Sequence, residues 1–199
     1  MIQLENIAKS KPYIIFEKLY KEAVSKDQKY VEAMCISSYD EIANIPDSRF
    51  VNLKNIIGEN WTFFSNYNGP KSKQFNSNNH ISAIFFWNSL NVQIRMKAKI
   101  YKSDKDVSDE HFKNRNYKKN ALAVSSMQSQ SIESHEKIIK NYEKAIKNKT
   151  LISNRPDYWG GYTFTPYYFE FWRGHEHRIN KRDVFYKKDN NWKQKVLQP

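Results

Sequence analysis

The chain has 199 residues, enough for a single domain with its own core, and its 33 Lys and Arg against 21 Asp and Glu give a formal net charge of +12. That balance fits an anionic partner, whether nucleic acid, a phosphorylated small molecule or an acidic surface, and equally a solvated basic surface with no charged partner. The single cysteine excludes an intrachain disulfide framework and a multi-cysteine zinc site, and the longest apolar run, Ile81 to Trp87, is far too short to span a bilayer.

Residues Met1 to Tyr13 mix polar and apolar side chains and lack the apolar centre of a signal peptide, so a soluble, cytoplasmic protein is expected. After Pro12, apolar residues at Ile15, Phe16, Leu19, Tyr20 and Ala23 keep helical spacing, so residues 1–28 read as an extension and an amphipathic helix. Short β-type runs follow at Ala33 to Ser38, Phe50 to Ile57, Trp61 to Ser65 and Ile81 to Trp87, with Gly58-Glu59-Asn60 as a hairpin turn. Cys35 lies in one of these apolar stretches and reads as a small buried hydrophobe. The clearest strand places Val92, Ile94, Met96, Ala98 and Ile100 on one face and Gln93, Arg95, Lys97, Lys99 and Tyr101 on the other, a core face and a cationic face.

Ser103 to Lys119 reads as a short helix plus loop, and Ile132, His135, Ile139, Tyr142 and Ile146 mark a second amphipathic helix. Two further strands are expected over Gly161 to Thr165 and Tyr168 to Trp172, then a terminal hairpin around Asp189-Asn190-Asn191. There is no internal repeat and no linker. The expected fold is one α+β domain over 1–199, mainly β, built as an antiparallel barrel or sandwich with flanking helices.

Several segments, in order, resemble the pyridoxamine 5′-phosphate oxidase family. They are Arg49-Phe50-Val51-Asn52-Leu53-Lys54, Phe63-Phe64-Ser65-Asn66 with Lys71, Phe86-Trp87, Gln93-Ile94-Arg95, Phe112 to Arg115, and Gln128-Ser129. Trp159-Gly160-Gly161-Tyr162, Phe169-Glu170-Phe171-Trp172, Arg178 to Arg182 and Trp192 to Pro199 complete the set. The resemblance implies an antiparallel split β-barrel, a homodimer with FMN in the cleft between subunits, and oxidation of pyridoxamine or pyridoxine 5′-phosphate to pyridoxal 5′-phosphate with oxygen as acceptor.

The family's cofactor contacts carry over to Arg49, Lys71, Gln128 and Ser129 around the FMN phosphate, to Phe64 and Ser65 at the flavin edge, and to Gln93, Trp172 and Arg182 against the ring. Arg182 is the candidate cation beside N1 and the C2 carbonyl. Lys54 and Arg115 match phosphate contacts of the phosphorylated B6 substrate, and Arg178 matches the arginine over its pyridine ring, the residue expected to influence the reacting carbon. His111, Lys119 and Asn180 stand where the family has tyrosine, serine and histidine, and Pro70 replaces a second FMN-phosphate arginine.

Those departures keep two rivals in view. One is an FMN oxidoreductase acting on another substrate, and the other a non-enzymatic module binding flavin, pyridoxal phosphate or nucleic acid. No nucleic-acid motif is recognisable, so no nucleic-acid partner is expected. His80 and His135 read as packing or capping residues. His175 and His177 flank Glu176 without an evident third ligand, so no metal is expected.

Overall fold

In the computed structural model, which describes residues 1–199, nine strands and six α-helices follow one another. Strand β1 (Gln3–Glu5) and helix α1 (Lys11–Ser25) precede β2 (Ala33–Asp40), β3 (Ile45–Ile57), β4 (Asn60–Asn66), helix α2 (Pro70–Ser77), β5 (His80–Trp87) and β6 (Val92–Lys102). A helical insertion comes next, comprising α3 (Lys105–Asn114), α4 (Tyr117–Ser125), α5 (His135–Lys147) and α6 (Lys149–Ser153). The chain ends with β7 (Trp159–Arg173), β8 (Lys181–Lys188) and β9 (Asn191–Val196).

Six strands close a ring. β3 pairs with β2, β2 with β5, β5 with β6, β6 with β7, β7 with β4, and β4 again with β3, all antiparallel. β8 and β9 continue the sheet outside that ring, and β1 adds to β3 in parallel. The split lies in β7. Its first part, Trp159 to Phe164, pairs with β4, whereas Tyr168 to Arg173 pairs with β8. Composition predicts two strands here, and the structure runs one through Pro166. A strand tolerates a residue without an N–H at a bulge or an unpaired edge. Pro166 meets both conditions, at the β6 register shift between Lys97 and Ala98 and in the gap between β4 and β8.

Alternation in β6 is as expected, with Val92, Ile94, Met96, Ala98 and Ile100 buried. α1 packs on the barrel through fully buried Phe16, whose ring lies 4.4 Å from Trp61 and 5.7 Å from Trp87. Burial of one such side chain contributes about 2–3 kcal/mol. Gly58 closes the β3–β4 hairpin at φ +59°, a left-handed turn that favours glycine. The helical insertion has its own small core of Ala121, Ala145 and Ile152. The apolar stripe expected on α5 is only partly used, because Ile132 precedes the helix and Ile139 is exposed. Tyr142, Ala145 and Ile146 make the contact with that small core, so the buried side of α5 lies in its carboxy-terminal half. His135 and His80 are both exposed, and Cys35 is half-buried.

Candidate cofactor and substrate site

A cavity of about 840 Å³ opens between the barrel wall and the helical insertion. Ten of the fifteen residues that the resemblance singles out, at or near it in sequence, line this cavity: Arg49, Lys54, Phe64, Ser65, Lys71, His111, Arg115, Lys119, Gln128 and Ser129. They form two cationic groups.

The first is built on α2 and the neighbouring strands. Pro70 is the first residue of α2, where the missing N–H costs the helix nothing, and Lys71 follows it. Lys71 is 7% exposed, and its ammonium donates to Ser65 Oγ at 2.8 Å and Gln128 Oε1 at 3.1 Å. It makes no ion pair of its own. Burial and the neighbouring Arg49 guanidinium push its pKa down to about 8. Arg49 is itself held in place by Ser38 Oγ at 2.5 Å, Gln74 Oε1 at 3.1 Å and the Asp47 carboxylate.

The second group surrounds an aromatic stack. The His111 ring lies on Phe64 with centroids 3.6 Å apart, Phe64 stacks on Trp159 at 5.5 Å, and the Arg115 guanidinium sits 4.7 Å over the Trp159 ring. Burial, then Arg115, Lys54 and Lys119, push the His111 pKa down to about 4. In the ligand-free pocket His111 therefore meets an anion as a neutral imidazole, and the positive charge comes from the three cations around it. Lys54, whose pKa is lowered by burial and then by Lys119, is the extra residue of a β-bulge. Leu53 pairs with Phe63 and Asn55 with Thr62, so Lys54 has no opposite number in β4. Such bulges re-aim side chains beside binding sites.

Two glycines let this wall close. A Cβ on Gly160 would overlap the Tyr67 ring and lie 2.8 Å from Ser108 Oγ, and one on Gly161 would lie 2.8 Å from Ser103 Cβ and 3.2 Å from Phe64 Cε1. Ser108 Oγ accepts from Gly161 N at 3.0 Å, and the Tyr67 hydroxyl donates to Gly161 O at 3.0 Å.

The other five expected residues stand elsewhere in the chain. Gln93 is opposite Trp172, and Trp172 opposite Arg182, so the three form one row across β6, β7 and β8 on the outer face of the sheet. Phe86 of β5 extends that row and is 55% exposed. Arg178 and Asn180 lie in the exposed connection between β7 and β8. Arg178 adopts φ +62°, and Asn180 Oδ1 accepts from His175 N at 3.0 Å. His175 and His177 flank a turn there rather than a strand, and no cluster of three or more His, Cys, Asp or Glu is placed to hold a metal ion.

Sequence reasoning missed several participants. Trp159 belongs to the quoted Trp-Gly-Gly-Tyr segment, yet only the fold brings its ring against Phe64 and Arg115. Asp47, two residues before Arg49, signals a partner for it in a strand where both face the same way. Glu170 was quoted only as part of a motif, and it pairs with both Arg95 and Arg182.

The family model described as the pyridoxine 5′-phosphate oxidase C-terminal dimerisation region matches residues 159–199. A pyridoxine/pyridoxamine 5′-phosphate oxidase from Leptospira interrogans is 33% identical over 181 residues, covering 89% of this chain and 83% of that protein. One from Haemophilus influenzae is 33% identical over 188 residues, covering 94% and 89%. Among solved structures, PhzG from Burkholderia lata, in complex with tetrahydrophenazine-1-carboxylic acid, superposes with a TM-score of 0.88 at 19% identity, covering 96% of this chain and 93% of that one. A pyridoxamine 5′-phosphate oxidase-related, FMN-binding protein from Nostoc punctiforme gives 0.77 at 9% identity, covering 92% and 97%. At those identities the two structures bear on the fold alone, a split barrel.

Proposed function

The chain belongs to the pyridoxine/pyridoxamine 5′-phosphate oxidase family, and from that membership we propose that it binds FMN as a homodimer and oxidises pyridoxamine or pyridoxine 5′-phosphate to pyridoxal 5′-phosphate, with oxygen as acceptor. The observation that carries the reading is Lys71, a buried ammonium with two neutral acceptors and no carboxylate of its own, beside the fixed guanidinium of Arg49. An uncompensated buried cation calls for an anion, and a phosphate dianion with several acceptor oxygens suits this donor set. Arg49, Lys71, Ser65, Gln128 and Ser129 would hold that phosphate.

Two copies account for the separated residues. Trp159 lines the cavity, whereas Gln93, Trp172, Arg178, Asn180 and Arg182 do not. The row Gln93, Trp172 and Arg182 would therefore serve the cavity of the second copy, together with Arg178 and Asn180. The dimerisation region matched over 159–199 contains four of these five residues, Gln93 lying outside it.

When bound, FMN would supply the two-electron acceptor for a hydride from C4′ of the substrate, with oxygen as the final acceptor and hydrogen peroxide as its product. The protein's own residues position and polarise. Lys54, Arg115 and Lys119 would take the substrate phosphate, with His111 as a neutral hydrogen-bond partner. Arg178 would cover the pyridine ring and hold the reacting carbon against the flavin, a contribution from orientation. Arg182 would offset charge developing at N1 and the C2 carbonyl. Asn180 does not titrate, so no proton is moved at that position.

A second reading keeps the flavin and changes the substrate. It is favoured by the altered trio His111, Lys119 and Asn180. Both are tested by purifying the protein, identifying bound flavin by absorbance, and measuring peroxide with each phosphorylated B6 form. Yellow protein that makes peroxide with pyridoxine 5′-phosphate is the expected result. Yellow protein inert with every B6 ester selects the second reading, and colourless protein that FMN does not reconstitute overturns both.

A further inference from the structure

Glu170 is the only acidic side chain among the buried residues, 2% exposed, and it stands on the outer face of the sheet rather than in the barrel core. Each of its oxygens has two partners. Oε1 accepts from Arg182 Nε at 2.9 Å and is ion-paired with Arg182 Nη2 at 2.8 Å, while Oε2 accepts from Arg95 Nη1 at 3.0 Å and from the Tyr168 hydroxyl at 3.1 Å. Arg182 is gripped a third time, because its Nη1 donates to the Gln198 carbonyl at 2.9 Å. A guanidinium has five N–H donors, more than these contacts use, so Arg182 keeps hydrogen-bonding capacity for a further partner. The side chain is 25% exposed, and it lies in the row with Trp172 and Gln93.

This is a large commitment of buried charge. A carboxylate taken out of water beside two arginines is often no more stabilising than apolar packing, so stability alone is a weak reason for the arrangement. What it does achieve is orientation: Arg182 cannot rotate without losing its contacts to Glu170 Oε1 and to the Gln198 carbonyl, so its remaining N–H donors are held in place. We propose that Glu170 is a positioning residue that aims Arg182 at the electron-accepting ring of the cofactor. Arg95 keeps the local charge positive after Glu170 has been neutralised. The inference rests on the flavin reading given above and extends it to a residue that touches neither cofactor nor substrate.

The test uses FMN-loaded dimer and three variants. Glu170→Gln keeps the shape and removes the charge, Glu170→Asp keeps the charge and withdraws it by one methylene, and Arg182→Ala removes the residue being aimed. The readouts are the flavin midpoint potential, the FMN dissociation constant from fluorescence quenching, and the rate of flavin reduction by substrate. A positioning role lowers the potential in all three variants and slows reduction about 10- to 100-fold, while KM for the phosphorylated substrate stays within about twofold because Lys54 and Arg115 are untouched. The double variant Glu170→Gln with Arg182→Ala is then no worse than Arg182→Ala alone.

A mere charge effect has the opposite sign, since removing a negative charge raises the potential in Glu170→Gln and leaves Glu170→Asp like the wild type. Either that pattern or additive losses in the double variant overturns the proposal. If Glu170→Gln is insoluble, Glu170→Asp carries the same decision. Wild-type protein that takes up no FMN refutes the flavin reading and this inference together, whereas loaded wild type beside unaffected variants refutes the inference alone.

Discussion

Replacing Lys71 by Met removes the ammonium while keeping an unbranched side chain of similar length, and two effects of opposite sign follow. Without ligand, Lys71 opposes folding, because its pKa falls from 10.5 to about 8 on burial beside Arg49. Full conversion of that difference is about 3 kcal/mol, and about 1–2 kcal/mol once water entering from the cavity side is allowed for. Lys71→Met is therefore expected to raise the apoprotein's urea stability at pH 7 by about 1–2 kcal/mol. With FMN the sign reverses. Losing a buried charge-assisted contact to phosphate costs about 2–4 kcal/mol, so Kd rises about 30- to 1000-fold.

The linkage supplies a control. Between pH 8 and pH 10.5 the unfolded chain binds a proton at Lys71 that the folded chain has released, so wild-type stability gains with rising pH through that window. The difference from Lys71→Met should shrink across the same window and be constant below it. Urea melts of both apoproteins at pH 7, 8.5 and 10, with FMN fluorescence titrations at pH 7, measure all of this. A Lys71→Met apoprotein less stable than wild type, or one binding FMN within about threefold of it, would refute the reasoning that Lys71 is a buried cation awaiting an anion.

Two further outcomes are expected. His111 has a folded pKa of about 4 against 6.5 in the unfolded chain, so apoprotein stability should rise as pH goes from 4 to 6.5, and His111→Gln should flatten that slope in urea melts; an unchanged slope rules out a buried neutral His111. Gly161→Ala puts a methyl group 2.8 Å from Ser103 Cβ and 3.2 Å from Phe64 Cε1, an overpacking expected to cost about 2–3 kcal/mol and to lower Tm by about 5–10 °C; a melt within 1 °C of wild type, where about 1 °C marks no effect, shows that the wall yields freely.

Periodicity alone made β6 legible, because a strand with one buried face alternates without exception over ten residues. The cavity's cationic contacts were legible through the resemblance, in ordered segments such as Arg49 to Lys54 and Gln128-Ser129. Their environment was not. Neither composition nor motif shows that His111 stacks on Phe64 and is held neutral, since that depends on α3 folding back over β4. Pro166 misled the strand reading because breaking or passing depends on whether a neighbour needs its N–H, a tertiary property. Ile132 and Ile139 misled the reading of α5 for a related reason, namely that helical spacing defines a face without saying what covers it. Glu170 was invisible as a functional candidate because its meaning lies in three adjacent strands at once.

The barrel's closing seam bears on how the protein assembles. β4 and β7 meet with Trp61 opposite Phe164, about 100 residues apart in sequence, whereas β4 reaches β3 through a tight hairpin. Among the strand pairings, joining such distant segments carries the largest loop-closure entropy. Phe64, Ser65 and Trp159 all stand on that seam, so a ligand held by them would act as a clasp across the strand pairing that is hardest to form. Cofactor supply would then govern the fraction of newly made chains that stay closed, by mass action on the folded state.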